Sequence, residues 1–173
     1  MTKIFRAGLF LATVVVLVLG LKFANWLPMF IQKDTLRRYS GLEEVTAKLG
    51  ISDIYAPRYF PGNLAWPPSE ILAQTRPYIA VVMEFKNKEK GDTSLIICQS
   101  ASEDFKPYNK IRLARVNEKV SYLLKGRKAV IEVGTCSEEP CSRISWDEGK
   151  YKMTVAIKSQ PSDLIKISES MVR

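Results

Sequence analysis

The sequence predicts an α+β protein: an N-terminal transmembrane helix, then a meandering antiparallel sheet of about five or six strands, flanked by a short N-terminal helix and a C-terminal helix. Three observations predict it. One long apolar run lies near the start, over residues 7–21. Several segments between residues 78 and 158 alternate apolar and polar side chains, the period of a strand with one wet face. Two further segments, near residues 41–49 and 161–171, space their apolar residues as an amphipathic helix does.

The apolar run carries one polar residue, Thr13. Taken from Ile4 to Ala24 it makes about 31 Å of helix, close to the hydrocarbon thickness of a bilayer. Arg6 and Lys22 then sit near its ends, where their stems can snorkel, and Trp26 falls at the interface. A cleaved signal peptide is the alternative. Cleavage wants small residues one and three positions before the cut. A cut after Ala24 puts Lys22 in one of those places, and a cut after Gly20 puts Val18 there. An uncleaved anchor is the better reading. A buried soluble helix would show a polar face, which this run lacks.

Residues 1–32 are therefore assigned as anchor and juxtamembrane segment, and residues 33–173 as a single extracytoplasmic domain. Lys3 and Arg6 favour a cytoplasmic N-terminus, but Lys22, Lys33, Arg37 and Arg38 lie on the other side, so charge alone is ambiguous. The short N-terminal tail and the cysteines decide for an extracytoplasmic domain. The expected location is the inner (cytoplasmic) membrane, single-pass; a secreted or periplasmic form after cleavage is the alternative. No cysteine stands directly after the apolar run, so lipoprotein processing is not indicated.

After the run, Pro28 breaks helix continuity, and residues 25–38 read as a juxtamembrane stretch. Lys33, Arg37 and Arg38 could touch anionic headgroups or belong to a solvated linker. Ser40-Gly-Leu-Glu43 is a capping-box pattern. Leu42, Val45 and Leu49 share a face, and Gly50 can close the helix. Residues 55–68 combine prolines with Tyr55, Tyr59, Phe60 and Trp66, which predicts an extended or turning segment. Its aromatics either cover the sheet or bind a partner, and burial is the commoner fate.

Strands are expected at residues 78–86 and 93–100, joined by a polar turn with Gly91. In the first, Ile79, Val81, Met83 and Phe85 share one face while Glu84 and Lys86 lie on the other. Further strands follow at 110–116, 120–124, 129–133 and 143–146. The last, 151–158, alternates cleanly: Tyr151, Met153, Val155 and Ile157 on one side, Lys152, Thr154, Ala156 and Lys158 on the other. Pro161 opens the final helix, with Ser162 or Asp163 as its expected cap and Leu164, Ile167 and Met171 on its inward face.

The length of 173 residues and a formal net charge of +8 fit one domain plus an appendage. The basic residues are spread among acids, with no block of five like charges, so no nucleic-acid arm is indicated. Histidine is absent, which removes Ser-His-Asp and Cys-His catalysis, His-ligated zinc and Cys-x-x-Cys-His haem attachment. The acidic pairs Glu43-Glu44, Glu103-Asp104, Glu138-Glu139 and Asp147-Glu148 fall in turns or on wet faces and read as solvated charge. The scattered glycines form no phosphate loop. No catalytic residue, cofactor or metal site is expected.

The sharpest local feature is Cys136-Ser-Glu-Glu-Pro-Cys141, a candidate disulfide across a hairpin loop. A metal site of Cys98, Cys136, Cys141 and a carboxylate is the weaker alternative, since structural zinc favours four Cys or His in paired short spacings. Cys98 itself reads as a buried strand residue. Arg112, Arg115, Lys119, Lys125, Arg127 and Lys128 form a basic stretch that could face an anionic membrane or partner, or serve as gatekeeping charge on a polar sheet face. The candidate interaction surface is accordingly Tyr59, Phe60 and Trp66 together with Arg112, Arg115, Arg127 and Lys128.

The segments Leu124-Lys-Gly-Arg-Lys-Ala-Val-Ile-Glu, Ile144-Ser-Trp146 with its Asp-Glu-Gly turn, and Asp163-Leu-Ile-Lys-Ile-Ser-Glu-Ser-Met171 resemble a group of uncharacterised bacterial extracytoplasmic domains. These occur in membrane-anchored proteins, some anti-sigma-like or sporulation-associated. The resemblance covers about residues 42–172, including the Pro-aromatic loop. It implies a strand ending in Trp, a turn, an alternating strand and a closing helix, and it carries over no catalytic residue. The function expected is that of a non-catalytic interaction, sensory or accessory domain, tethered by its N-terminal helix, with an envelope protein or lipid as partner. A carrier or chaperone holding a lipid or lipoprotein between sheet and helix is the first alternative. An enzyme of unidentified type is the second.

Overall fold

The computed structural model describes residues 36–105 and 110–173, together with Thr13, Val15, Val16, Leu17, Val18 and Gly20. The chain divides into two units, Met1–Leu36 and Arg37–Arg173. In the first, the described residues between Thr13 and Gly20 are helical, and Val15, Val16, Leu17 and Val18 are exposed. The rest of the expected transmembrane helix lies outside the described residues, as do Trp26 and Lys33. Among the described residues no helix is long and apolar enough to cross a membrane.

The second unit is one eight-stranded sheet with every neighbouring pair antiparallel. In chain order the elements are β1 (Arg37–Tyr39), α1 (Leu42–Leu49), β2 (Glu70–Gln74), β3 (Ala80–Lys86), β4 (Thr93–Ser100), β5 (Arg115–Leu124), β6 (Arg127–Cys136), β7 (Glu139–Glu148), β8 (Tyr151–Ile157) and α2 (Pro161–Met171). The spatial order is β1-β2-β3-β4-β8-β7-β6-β5. Two meanders thus lie side by side. The connection after β4 crosses to the far edge, and the second meander works back until β8 pairs with β4.

The sheet has eight strands where five or six were expected, and the reasons are local. β1 is three residues long, less than two periods of alternation, and it begins inside the stretch read as juxtamembrane. β2 offers no clean alternation, because Leu72 is half-buried beside buried Ile71 and Ala73. The two strands expected at 110–116 and 120–124 are replaced by the single strand β5. A bulge between Val116 and Glu118 shifts its register and hides the period of two.

Both helices lie near their expected positions, but neither expected cap forms. Ser40 donates from its backbone N and its Oγ to Glu44 Oε2, at 2.7 Å each, rather than engaging Glu43. The Lys48 ammonium on the other oxygen, then the Ser40 donors, hold the Glu44 carboxyl down at about 2. Gly50 closes α1 in the left-handed region as predicted, at φ 66°. In α2, Pro161 is the first helical residue and Gln160 the extended residue before it. Ser162 and Asp163 therefore fall inside the first turn, where Asp163 still meets the positive helix end.

The core lies on the helix-bearing face of the sheet. Val45 of α1 and Leu164, Ile167 and Met171 of α2 join one cluster with Met83, Phe85, Ile97, Ile144, Trp146 and Val155. α2 packs on β7, β8 and β5, so side chains fill the space between helix and sheet there. The Pro-aromatic loop covers part of this face, as its composition predicts. Gln99, fully buried, donates to the Asp53 carbonyl at 2.6 Å and accepts from the Tyr55 N–H at 3.0 Å, pinning the loop to β4. Phe60 and Trp66 pack on Phe85, with ring centroids at 4.9 and 6.1 Å.

Candidate functional site

The opposite face of the sheet is only partly covered. The connection from β4 to β5 lays Phe105 and Ile111 over it, both buried. Beneath and beside them lie Ile96, Cys98 and Ala156, which makes β4 buried on both faces. Lys110, on the same connection, reaches Glu84 at 2.7 Å and Glu70 at 2.8 Å, and Arg38 also pairs with Glu70. Glu84, expected on a wet face, is therefore one of the most buried residues in the sheet, at 2% exposure. Its signal was legible only in part: the alternation was right, but the lid over that side comes from a segment distant in sequence.

Next to this covered region is a groove of about 390 Å³. Val130 is its open apolar side chain, at 37% exposure, while Ile96, Cys98, Ala156, Phe105 and Ile111, each at most 7% exposed, border it along the covered region. Ser145 and Thr154, cross-strand partners on β7 and β8, lie side by side in its lining, their hydroxyls hydrogen-bonded at 3.2 Å. Lys119, Glu132, Arg143 and Lys152 line its polar side. Arg143 and Glu132 form a close ion pair, and Lys119 stands 3.4 Å from the other Glu132 oxygen. Burial pushes the Glu132 carboxyl up, but the Arg143 and Lys119 cations together bring it below the usual carboxylate range. Among the described residues, Lys152 makes its ion pair with Asp147, at 3.9 Å.

Lys119 brings the groove's lining to β5, the edge strand of the sheet. Residues 115–121 of this ten-residue strand are all exposed. Val116, Val120 and Leu123 stand open along it, Leu123 at 67% exposure, with Val130 beside them on β6. Among the described residues its backbone is paired on one side only, by β6. The opposite edge, β1, is three residues long. Gly134 lets β5 approach β6 at the bulge, since a Cβ there would lie 1.9 Å from the Arg115 carbonyl oxygen.

The residues expected to form an interaction surface do not converge. Phe60 is half-buried against Phe85, while Tyr59 and Trp66 remain exposed over the helix-bearing side. The basic residues lie around the β5 edge, with four strands between it and β3. Arg127 is engaged there by the buried Glu148, at 3.2 Å. Arg112, Arg115, Lys125 and Lys128 are exposed and make no ion pair among the described residues.

Cys136 and Cys141 form a disulfide, with Cα atoms 5.6 Å apart. They are diagonal neighbours flanking the Ser137-Glu138 turn, where both turn residues adopt positive φ. Cys98 is free and buried, and burial pushes its thiol up. Two of the three sulfurs considered for a metal site are thus bonded to each other. Among the described residues no group of three or more His, Cys, Asp or Glu could hold a metal ion.

No protein-family profile matches the chain, and neither a curated protein nor a solved structure matches it.

Proposed function

We propose that this chain is a membrane-tethered, extracytoplasmic binding domain without catalysis of its own, which captures an extended segment of an envelope partner along β5. The open β5 edge carries the proposal. A long edge strand with exposed apolar side chains is a template for pairing with another chain, and proteins normally shorten, charge or cover such an edge. Here the β1 edge is three residues long, two of them Arg37 and Arg38, whereas β5 is ten residues long and sets open Val and Leu side chains among the charges of Arg115, Glu118 and Lys119. Strand addition takes its affinity from main-chain hydrogen bonds and its specificity from alternate side chains.

Two observations support the tether and the compartment. The apolar run of residues 4–24 has the length of a bilayer span, and its described residues Val15, Val16, Leu17 and Val18 are helical and exposed. A Cys136–Cys141 disulfide persists in an oxidising compartment.

The test is amine-reactive cross-linking of the full-length protein in its own membrane. Lys119 on β5 should give a discrete adduct with one partner. Val120→Lys or Leu123→Lys should lose that adduct, while Lys166→Ala on the exposed side of α2 should keep it. An adduct that survives both edge variants, with the fold intact, would overturn the reading.

A further inference from the structure

Charge is unevenly distributed around the β5 edge. From Arg112 to Lys128 the chain carries six cations, Arg112, Arg115, Lys119, Lys125, Arg127 and Lys128, against one acid, Glu118. Glu148 holds Arg127, and Lys119 shares Glu132 with Arg143. The other four cations are exposed and make no ion pair among the described residues. The register with β6 sorts the side chains by face. Leu123 lies opposite Lys128 and Ser121 opposite Val130, so Lys119, Leu123, Lys128 and Val130 share one face while Val120 stands on the other. Arg115 and Lys125 mark the two ends of the strand, about 30 Å apart at the rise of an extended chain. Such cations close the edge to a second copy. Two-fold pairing centred on Lys119 would set that ammonium against its own counterpart, and centred on Val120 it would set Arg115 against Lys125. An acidic strand meets no such repulsion, and Val116, Val120 and Leu123 stay open to it.

We propose that the β5 edge takes an acidic extended segment, its carboxylates at alternate positions on the face of Lys119 and Lys128 and its apolar side chains on the face of Val120. The inference rests on the strand-pairing reading and names the class of partner. Main-chain hydrogen bonds along β5 supply affinity without regard to sequence, so the flanking side chains must select the partner. Carboxylates at the ends of the segment meet Arg115 at one end of β5 and Lys125 at the other. An anionic membrane surface would satisfy the cations alone, and would leave the unpaired backbone of β5 and its open Val and Leu side chains without partners. An acidic strand satisfies all three at once. With a formal net charge of +8, the protein's own field draws such a segment towards it, and salt screens that attraction.

The probe is a fluorescein-labelled peptide of about ten residues, the length of β5, alternating Glu and Val. It is titrated into the full-length protein in nanodiscs of zwitterionic lipid and followed by anisotropy. The Glu–Val peptide should bind saturably, and the matching Gln–Val peptide about tenfold more weakly. Lys119→Gln and Lys128→Gln together should weaken the Glu–Val peptide about fivefold, the effect of two exposed ion pairs. Lys166→Gln on α2 should change nothing. Equal affinity for the two peptides would overturn the acidic class and leave strand pairing standing. Methylation of every backbone nitrogen of the Glu–Val peptide should abolish binding; a methylated peptide that binds as well would overturn strand pairing itself. Phosphatidylglycerol vesicles should leave the peptide bound, and full displacement by them would overturn the inference in favour of a lipid surface. No saturable binding of either peptide would overturn both readings.

Discussion

Gly134 is the residue at which β5 is most tightly held. Its missing side chain leaves space for the Arg115 carbonyl, and an added Cβ would meet that oxygen at 1.9 Å with only backbone to yield. Gly134→Ala should therefore lift the start of β5 off β6 and cost about 1–3 kcal/mol, the range for overpacking a fitted site. Urea unfolding measures it; a shift within a few tenths of a kcal/mol would mean that the bulged end is loosely held. This glycine was invisible in the sequence, since nothing in Val133-Gly-Thr135 reports the strand opposite. Cys98, by contrast, was legible as a buried strand residue, because its neighbours Ile96 and Ile97 are apolar on both faces. Glu84 was misplaced for the complementary reason. A carboxylate in an alternating strand reads as solvated, and only Lys110, supplied from a distant connection, makes its burial tolerable.

Strands and helices were legible where one element carries its own period. β8 alternates without interruption, and its limits agree with the reading to within a residue. The ends of β4 agree fully with the reading. α1 and α2 were found from their apolar spacing, but their caps were not, because Gly41 and Gln160 take the cap positions that the side-chain pattern assigned to Ser40 and to Ser162 or Asp163. Three carboxylates then tie elements together. Glu70 on β2 holds Lys110, Asp92 in the β3–β4 turn holds Lys158 at the end of β8, and Glu132 on β6 holds Arg143 on β7. All three sit below their ordinary values: Glu70 through its bond to Lys110, Asp92 through Lys158, and Glu132 through Arg143 and Lys119 against the effect of burial. A carboxyl with a lowered folded pKa adds stability that is complete above its unfolded value and is lost as pH falls through the folded one. The unfolding midpoint should accordingly hold steady from pH 7 to about 5 and fall below about pH 4.5. A midpoint unchanged at pH 3 would show that these pairs contribute nothing net.

At the scale of the molecule, the candidate surface was the least legible part. Aromatic and basic residues were grouped from sequence, but strand order separates them by the width of β4, β8, β7 and β6. The groove depends on the same order, since it exists only because β4 and β8 are neighbours. Placement in the cell is tested by the cysteines. Protein isolated under non-reducing conditions and unfolded should label at Cys98 alone, and at Cys136 and Cys141 as well only after reduction. It should also stay with the membrane fraction through alkaline extraction. Three labelled thiols without reductant, or release by alkali, would contradict the proposed compartment or tether.

The β4–β8 seam also sets an order of events during synthesis. Its register joins Leu95 to Ile157 and Cys98 to Thr154, residues made far apart in time. The first meander can pair within itself as it leaves the ribosome or translocon, but the free side of β4 then waits for the whole second meander. Non-local pairings of this kind are slow, and they leave an apolar strand unguarded meanwhile. The growing chain should therefore need shielding from aggregation until residues 151–157 have arrived.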